Sequence, residues 1–598
     1  MSIIRNRILQ FMKESERGAF GLLQPLCSRP GMYNASNSSA AAVITPKQAQ
    51  ATVSVRRQMT TITASRVIRL LLLGAAAVFF ALHFVHLTAD FPNHSPWMDW
   101  SKYTDEGWYG DAAIRHYVSG HWYWKGDFNP AVALPVWPAI ELLVFKFTGV
   151  SVTAARALTL GIFGFTLITL YLLIQRHTRP RNNESTESLA APIAVFFLCT
   201  SPFLFVFMRM AILEPLLIAL TALGLLIASD MRPIHLEGRR LRGLGSAVLL
   251  ALLLPGLVLT KTTGICLMPA IFYMIWARAG YRLRPALRLA LPPVIGGVTL
   301  WCAYFFFFVR PHYLEDYQYL FSANAYTGIG LEPVAKVILN TITDGAWMGW
   351  LIYVTFFVVL ALALFWRPRI LTNPLFPALL LWIGGYFAFL AYHNNLQPRY
   401  YLVVAVPITV VVAMGIDSFR QAQSKAAGFV ASIACTVLVL AIAVPDAVQQ
   451  VGYLRHPTYE FEAAAQGIKS IVLADKTHSH LILSISGSDL TLMTGLPSID
   501  DDFGTSDMDA RVKQYKPGWY AAWNDVEDDK ADAITPTYQM KRVAAFPAYD
   551  DPDRNLLILY RLDPGTEAPP PRHRARRHIP KALVTKMGQQ PSDDQLQH

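Results

Sequence analysis

Long apolar segments alternate with short polar loops along most of this chain. Because a helix needs about 20 mostly apolar residues to cross the hydrocarbon of a bilayer, the pattern predicts a polytopic α-helical membrane protein with about eleven transmembrane helices. The predicted spans are 67–87, 152–175, 189–207, 213–229, 244–260, 262–277, 287–309, 346–366, 374–392, 401–417 and 427–445.

One further apolar segment, 132–148, differs from these because it contains Glu141, Lys146 and two prolines. Charged side chains are costly inside the bilayer, so we expect this segment to form a helix lying at the membrane interface. If it crossed the membrane, every later loop would change side.

The region after the last span has the composition of a soluble domain. In 446–563, short β-type runs alternate with helical patterns near 459–474 and 506–515, which is typical of a small α/β domain. The three consecutive acids Asp500, Asp501 and Asp502 look like a solvated, turn-forming run. The β-type runs are 481–486, 520–524, 543–546 and 555–562.

The two ends of the chain have no sustained hydrophobic period. Residues 1–65 are polar and predict a disordered cytoplasmic tail, with Met59 as an alternative translation start just before the first apolar segment. Residues 564–598 are rich in proline and arginine and predict a disordered basic tail. The transmembrane domain between these regions is 66–445.

Composition agrees with the membrane assignment, since 53% of the residues are hydrophobic and only 16% are charged, against about 25% charged in soluble domains. The net charge of +11 does not require a nucleic-acid partner, because Lys and Arg concentrate in cytoplasmic loops of membrane proteins. Four of the five cysteines lie in apolar segments, so no disulfide framework is expected. They are Cys199, Cys266, Cys302 and Cys435, with Cys27 in the tail.

The basic residues also predict the orientation of the chain. They cluster in alternate loops, which all fall on one side if the chain has eleven spans, and the positive-inside rule makes that side cytoplasmic. The extracytoplasmic parts are then the first loop, 88–151, the loop 310–345, the turn 393–400 and the C-terminal domain. The clusters are Arg176, Arg179 and Arg181; Arg232, Arg239, Arg240 and Arg242; Arg278, Arg282, Arg284 and Arg288; Arg367 and Arg369; and Arg420 and Lys425.

The first loop contains the strongest candidates for chemistry. In residues 104–137, charged and aromatic side chains alternate too densely for a membrane span. Asp105 and Glu106 are adjacent, and Asp127 follows. Acids held among tryptophans and tyrosines, which favour the membrane interface, indicate chemistry on a substrate presented at that surface.

Charged residues near the outer ends of other spans have the complementary sign. Arg209 and Glu214 lie between the third and fourth spans, Lys261 between the fifth and sixth, and Arg399 with Tyr400 before the tenth. Charge so close to the hydrocarbon indicates function. Bases here would stabilise a phosphate leaving group, while an acid in the first loop would activate an acceptor hydroxyl.

Each of these residues also has a structural interpretation. Asp105 and Glu106 would favour the N-terminus of a helix, Arg209 and Glu214 would form a local ion pair, and Lys261 would extend to lipid head groups. The convergence of all four sites on one face favours function. The spacing of His116, His121 and His393 is not that of a metal site, and a helix beginning near Gly487, Ser488 and Asp489 is weak evidence for phosphate binding.

Several sequence landmarks resemble bacterial members of the GT-C superfamily, especially protein O-mannosyltransferase-like enzymes and the aminoarabinose transferases of lipid A. The resemblance covers roughly 67–445 and rests on the order and spacing of its landmarks. They are TDEGWYGDAAIRHY, GDFNPAVALPVW, TAARAL, MRMAILEPLL, LTKTTG and QPRYYLVVAVP. The GDFNP stretch departs from the HPPL-like and KPPL-like pattern of better-known relatives, which puts the acceptor in doubt.

The resemblance implies inverting transfer of a sugar from a polyprenyl-phosphate-linked donor at the periplasmic face of the bacterial inner membrane, with no cofactor and no compulsory metal. Asp105 matches the acid that activates the acceptor and Glu106 its neighbour, while Lys261 and Arg399 match bases around the lipid phosphate. Arg209, Glu214, Asp127 and Tyr400 are additional substrate-binding candidates.

The sequence leaves several alternatives open. The acceptor is a protein, a lipid or a glycan. A transporter or flippase of a phosphate-bearing lipid would also have many spans and charges near the membrane, but such proteins commonly show internal repeats and broken helices at mid-bilayer, and we find neither. A structural scaffold would leave Asp105 and Glu106 unexplained.

Overall fold

The computed structural model describes residues 65–92, 95–178, 187–231, 240–323, 334–365, 368–392, 397–421 and 427–565. The predicted tails, 1–65 and 564–598, lie almost entirely outside the described residues, as does His393.

The described chain is mostly helical. The helices before the C-terminal domain are α1 (Ser65–Leu82), α2 (Asp105–Trp108), α3 (Asp111–Ser119), α4 (Val136–Thr148), α5 (Val152–Thr178), α6 (Ala190–Thr200), α7 (Pro202–Phe207), α8 (Leu213–Asp230), α9 (Arg240–Thr260), α10 (Met268–Arg278), α11 (Leu283–Tyr304), α12 (Arg310–His312), α13 (Leu314–Ala323), α14 (Val334–Asp344), α15 (Trp350–Phe365), α16 (Pro368–Leu371), α17 (Leu375–Tyr392), α18 (Leu402–Gln421) and α19 (Ala427–Arg455).

All eleven predicted spans coincide with helical segments. In the described part of the chain, seven helices are long and apolar enough to cross a membrane, and α6, α15 and α17 are shorter apolar helices. The third predicted span is divided, because α6 ends at Thr200 and the Ser201 hydroxyl caps α7 by accepting from the Leu204 amide, with Pro202 in the first turn. The prediction of a polytopic helical membrane protein is confirmed.

The helix in the uncertain segment, α4, has 13 residues and is about 20 Å long, shorter than the roughly 30 Å hydrocarbon core. It buries Glu141 completely while Leu143 and Phe147 are exposed. One apolar face is thus left uncovered by protein, which suits a helix at the interface. Its position in the membrane stays a prediction.

Helix α18 is the central helix of the membrane part. Its residues from Leu402 to Met414 are all buried, and it packs against α6, α15, α17 and α19. A single turn of 3-10 helix, Pro398–Tyr401, precedes it, and all four residues of that turn are buried. Among the seven long apolar helices of the described chain, the most buried one therefore begins at the turn that contains Arg399.

The C-terminal domain is a mixed five-stranded sheet with helices. Its order is β2-β1-β3-β5-β4; β1 pairs in parallel with β2 and β3, and β5 is antiparallel to β3 and β4. The predicted β-type runs and both predicted helices are present, a helix (α21) does begin at Gly487, and the helix α23 and the strand β2 are additional. The elements are α20 (Glu460–Ala474), β1 (Ile482–Leu483), α21 (Gly487–Thr494), β2 (Ser498–Ile499), α22 (Met508–Tyr515), β3 (Trp519–Trp523), α23 (Asp528–Ile534), β4 (Tyr538–Pro547) and β5 (Leu556–Pro564).

The expectation of a solvated acidic run is wrong for Asp500 and Asp501, whereas Asp502 is exposed. Asp500 does form a turn, since its carboxylate accepts from the amides of Asp502 and Phe503. However, Asp500 and Asp501 are both buried, and Asp501 lies 3.4 Å from the Lys530 ammonium. Burial raises the pKa of Asp501 to about 6, although Lys530 opposes the shift. The negative charge of Asp501 is therefore balanced by the buried ammonium of Lys530 and not by solvent.

Candidate active site

The helix α2 places the two adjacent acids in different surroundings. Asp105 and Glu106 occupy its first turn and are both buried. Neighbouring residues on a helix point in different directions, so the two carboxylates face separate groups of partners. Asp105 faces Arg399, and Glu106 faces Arg156.

Asp105 lies against the turn that precedes α18. The Arg399 guanidinium is 3.0 Å from Asp105 Oδ2, and the Thr104 hydroxyl donates to Oδ1 at 3.0 Å. Asp105 Oδ2 has no hydrogen bond of good geometry. Burial raises the pKa of Asp105, and the positive charge of Arg399 opposes that rise. Oδ2 is thus held by the charge of Arg399 and accepts no hydrogen bond within the described chain, in a buried setting that also contains Asp99 and Glu214.

Arg399 is held in place by a second acid, Asp99. Asp99 accepts from the Arg399 backbone amide at 2.9 Å and also contacts its guanidinium, while its other hydrogen bond comes from the Ser101 amide. Both oxygens of Asp99 are therefore occupied. In Arg399 itself, the Nε atom is buried and has no hydrogen-bond partner in the described chain.

Lys261 and Glu214 complete the group around Tyr400. The Lys261 ammonium donates to Glu214 and lies 4.2 Å from the centre of the Tyr400 ring. The Arg399 guanidinium lies 4.7 Å from the same ring. Cations are attracted to the face of an aromatic ring, so Tyr400 holds the two bases side by side. We call Asp99, Asp105, Glu214, Lys261, Arg399 and Tyr400 the central cluster.

Glu106 belongs to a different group. Its carboxylate accepts from two nitrogens of Arg156, at 2.8 and 2.5 Å, and from the Ala211 amide at 2.9 Å. A bidentate arginine–carboxylate pair fixes the relative orientation of its two side chains. The pair with Arg156 joins α2 to α5, and the hydrogen bond from Ala211 joins α2 to the segment before α8. The contacts favour a positioning role for Glu106.

Arg209 and Asp127 have partners outside the central cluster. Arg209 donates to the carbonyls of Val85 and His86 and lies over the Phe205 ring, so the alternative of an Arg209–Glu214 ion pair is wrong. Asp127 lies 2.5 Å from Arg115 and 3.0 Å from Arg511 of the C-terminal domain. The structure thus brings together Asp105, Lys261, Arg399, Glu214 and Tyr400, and it places Arg209 and Asp127 with other groups.

The C-terminal domain packs directly on α2. The Trp108 indole donates to the Ile485 carbonyl at 3.1 Å, and the Ser488 hydroxyl donates to Asp111 at 2.6 Å. Asp489, in the first turn of α21, is buried there, and burial together with the charges of Glu106 and Asp105 raises its pKa. The domain therefore covers the two acids and adds a third.

Three of these residues were not singled out from the sequence: Asp99, Arg156 and Asp489. Arg156 lies within the landmark TAARAL, and Asp489 lies in the segment that was expected to begin a helix. Asp99 precedes the landmark loop and has no local signal, since its partner Arg399 is 300 residues away.

Gly107→Ala is expected to separate the C-terminal domain from α2. A Cβ at this position would lie 2.2 Å from the Ser488 carbonyl carbon and 2.3 Å from the Asp489 amide nitrogen, so one backbone would have to move. Overpacking of this kind costs about 1–3 kcal/mol. We expect a lower unfolding temperature and faster proteolysis between the last span and the domain.

The matched control is Gly161→Ala in α5, where a Cβ would meet nothing within 4 Å and alanine favours the helix. Equal unfolding temperatures and cleavage rates for the two variants would contradict close packing of α21 on α2.

Within the described ranges, no group of three or more His, Cys, Asp or Glu side chains is arranged to hold a metal ion. His116 and His121 are among the described residues.

Together, the helical membrane part, the first loop and the C-terminal domain form a fold that is similar to two solved structures of ArnT, which agrees with the resemblance found in the sequence. The chain is similar to ArnT from Cupriavidus metallidurans in the apo state, with a TM-score of 0.53 and 14% identity over 83% of this chain and 98% of that one. For the same ArnT bound to undecaprenyl phosphate, the TM-score is 0.54 and the identity 16% over 82% and 97%.

A third solved structure, the Archaeoglobus fulgidus oligosaccharyltransferase in the apo form, has a TM-score of 0.44 and 11% identity over 82% of this chain and 76% of that one. No protein-family model matches the sequence, and no curated protein matches it.

Proposed function

We propose that this protein is an integral-membrane inverting glycosyltransferase that moves a sugar from a polyprenyl-phosphate-linked donor to a protein, lipid or glycan acceptor on the periplasmic face of the bacterial inner membrane. The observation that carries the proposal is the central cluster: the buried carboxylate of Asp105, which pairs with Arg399 and has one oxygen that accepts no hydrogen bond, lies beside two cations held on one tyrosine ring. The ArnT structure with undecaprenyl phosphate shows that a protein of this fold binds such a lipid.

Three residues of the cluster act directly in this reaction. Asp105 accepts the proton of the acceptor hydroxyl while that oxygen forms a bond to the anomeric carbon. The bond from the anomeric carbon to the phosphate oxygen breaks, and its electron pair leaves with the phosphate. Lys261 and Arg399 stabilise the charge that develops on this leaving group. The attack and departure occur on opposite faces of the sugar, so the configuration inverts.

The charges of the cluster set the conditions for donor binding. Three carboxylates, Asp99, Asp105 and Glu214, face two cations, so an anionic phosphate must compete with acids already present. The free Nε of Arg399 and the remaining donors of the Lys261 ammonium are the groups that the phosphate would use. Neither base has to leave its acid partner to offer these hydrogens.

The proposal is tested with the purified chain in liposomes containing a polyprenyl phosphate that bears a radiolabelled sugar, supplied with envelope extract as acceptor. We expect label to move from the lipid to the acceptor fraction, and not to move with Asp105→Asn. Passage of intact labelled lipid across the bilayer without transfer would instead establish a flippase.

The sidedness of the reaction is tested separately. A reporter that is active only in the periplasm, fused after Leu562, is expected to be active, because the one-sided arginine clusters place the C-terminal domain outside. Activity of a cytoplasmic reporter at the same position would mean that 132–148 crosses the membrane.

A further inference from the structure

A large cavity lies apart from the central cluster, between the outer ends of several helices. Its volume is about 650 Å³, and its walls come from the end of α14, the beginning of α15, the outer part of α19, the start of α7 and residues 96–97. A cavity of this size falls in the range of small-molecule sites, about 300–1,000 Å³.

The lining combines aromatic rings with unpaired acids. Three tryptophans, Trp97, Trp347 and Trp350, and two carboxylates, Asp344 and Asp446, face the cavity. Among the described lining residues there is no Lys, Arg or His. Neither carboxylate has a hydrogen-bond or ion-pair partner within the described chain, and both are only partly exposed. Burial raises the pKa of Asp344, because no cation in the described chain offsets the desolvation of its carboxylate.

The acidic and aromatic lining favours a positively charged ligand in the cavity. A phosphate or carboxylate head group would meet two acids and no base, and like charges at short range repel. An ammonium group would be attracted by both carboxylates and by the faces of the indole rings, since tryptophan is the best aromatic partner for a cation.

The surfaces next to the cavity indicate how a ligand would reach it. The adjacent surfaces of α15 and α19 are apolar and uncovered, with exposed Trp350, Leu351, Val444 and Val448. A ligand with a hydrocarbon chain would therefore enter from the bilayer and leave its chain along these helices. We propose that this cavity binds a membrane amphiphile with an ammonium head group.

The cavity is separate from the central cluster but close to the segment that carries it. The Trp347 ring packs edge-on against Tyr401 at 5.2 Å, and its carbonyl accepts from the Trp97 indole at 3.2 Å. None of Asp105, Lys261, Arg399 or Tyr400 lines the cavity. The site is thus additional to the one proposed for the sugar donor.

The test uses photoreactive probes on the purified full chain in lipid nanodiscs: a long-chain primary amine, and the alcohol and carboxylate of the same chain. Labelled peptides are mapped by mass spectrometry. We expect the amine, and not the other two probes, to label residues 343–352 and 441–449. Asp344→Asn combined with Asp446→Asn is expected to lower that labelling by about ten-fold or more, since it removes both charges that attract the ammonium.

The control for net charge is Asp528→Asn with Asp532→Asn, two exposed acids on α23, which should leave labelling unchanged. A second variant, Ala441→Phe, keeps both acids and fills part of the cavity from its exposed position on α19; it should also lose the labelling. Equal labelling of these peptides by the three probes, or amine labelling that survives both cavity variants, would overturn the proposal.

Discussion

Asp105→Asn is expected to lower the rate of sugar transfer by roughly 10²–10⁴-fold, the usual contribution of a general base, while donor binding is retained. Asparagine keeps the shape of the side chain and its hydrogen bond with Thr104 but cannot take a proton. Arg399 stays in position, because Asp99 holds both its backbone amide and its guanidinium. The measurements are donor affinity and single-turnover rate for the purified variant.

Asp99→Asn is the matched control, since Asp99 is also buried and also contacts Arg399. Both of its oxygens already accept hydrogen bonds, so it cannot receive the acceptor proton. We expect a loss of folding stability without a comparable loss of turnover in the folded fraction. If both variants lost turnover equally, the loss would come from removing a carboxylate that pairs with Arg399, and not from removing a base at Asp105.

The pH dependence of transfer has a defined sign. Asp105 acts as a base only when deprotonated, so activity falls as the pH drops through its pKa. Because burial raises that pKa, the fall should occur at a higher pH than for an ordinary aspartate. Arg399→Met removes the opposing charge and should move the fall to still higher pH, and Asp105→Asn should abolish it.

Arg399→Met and Lys261→Met are expected to weaken stabilisation of the leaving phosphate by about 2–4 kcal/mol each, which corresponds to roughly 30- to 1,000-fold in rate. Methionine keeps much of the apolar part of either side chain but removes the cation. Each change also leaves a buried acid unpaired, which destabilises the fold. The rate must therefore be measured on folded protein, together with the unfolding temperature.

Lys102→Met provides a control with the same local chemistry. Lys102 is buried, lies 2.9 Å from Asp551 and sits 5.1 Å from the centre of the Tyr549 ring, but it belongs to the contact between the first loop and the C-terminal domain. We expect a similar loss of stability and unchanged donor affinity. Normal kinetics in both Arg399→Met and Lys261→Met would remove these bases from the donor site.

Much of the central cluster could be predicted because charge near hydrocarbon is rare and costly. Lys261, Glu214 and Arg399 stand out in apolar surroundings for that reason, and Asp105 stands out beside a span. The ion pairs between these residues could not be predicted from the sequence, because the packing of the helices decides which acid contacts which base. Lys261 pairs with Glu214, 47 residues away, and Arg399 with Asp99, 300 residues away.

Asp127 and Asp500–Asp502 show where local pattern is insufficient. Asp127 has the same kind of neighbours along the chain as Asp105, yet one of its two arginine partners, Arg511, is 384 residues distant and belongs to another domain. Consecutive acids are usually solvated, but Arg511 and Lys530 reach the carbonyl of Asp500 and the carboxylate of Asp501. Packing between domains buries Asp127 beside Arg511, and packing within the C-terminal domain buries Asp500 and Asp501; no local sequence signal reports either contact.

The packing of α21 on α2 has a consequence for biogenesis. The contacts that cover the two acids join residues 377 apart in the chain. At about 5–20 residues per second, a ribosome needs roughly 20–75 s to make the intervening chain. During that interval the first loop lacks the contacts with Ile485 and Ser488 that cover its two acids. If the proposed transfer needs this cover, a molecule can become active only after the C-terminal domain has been synthesised.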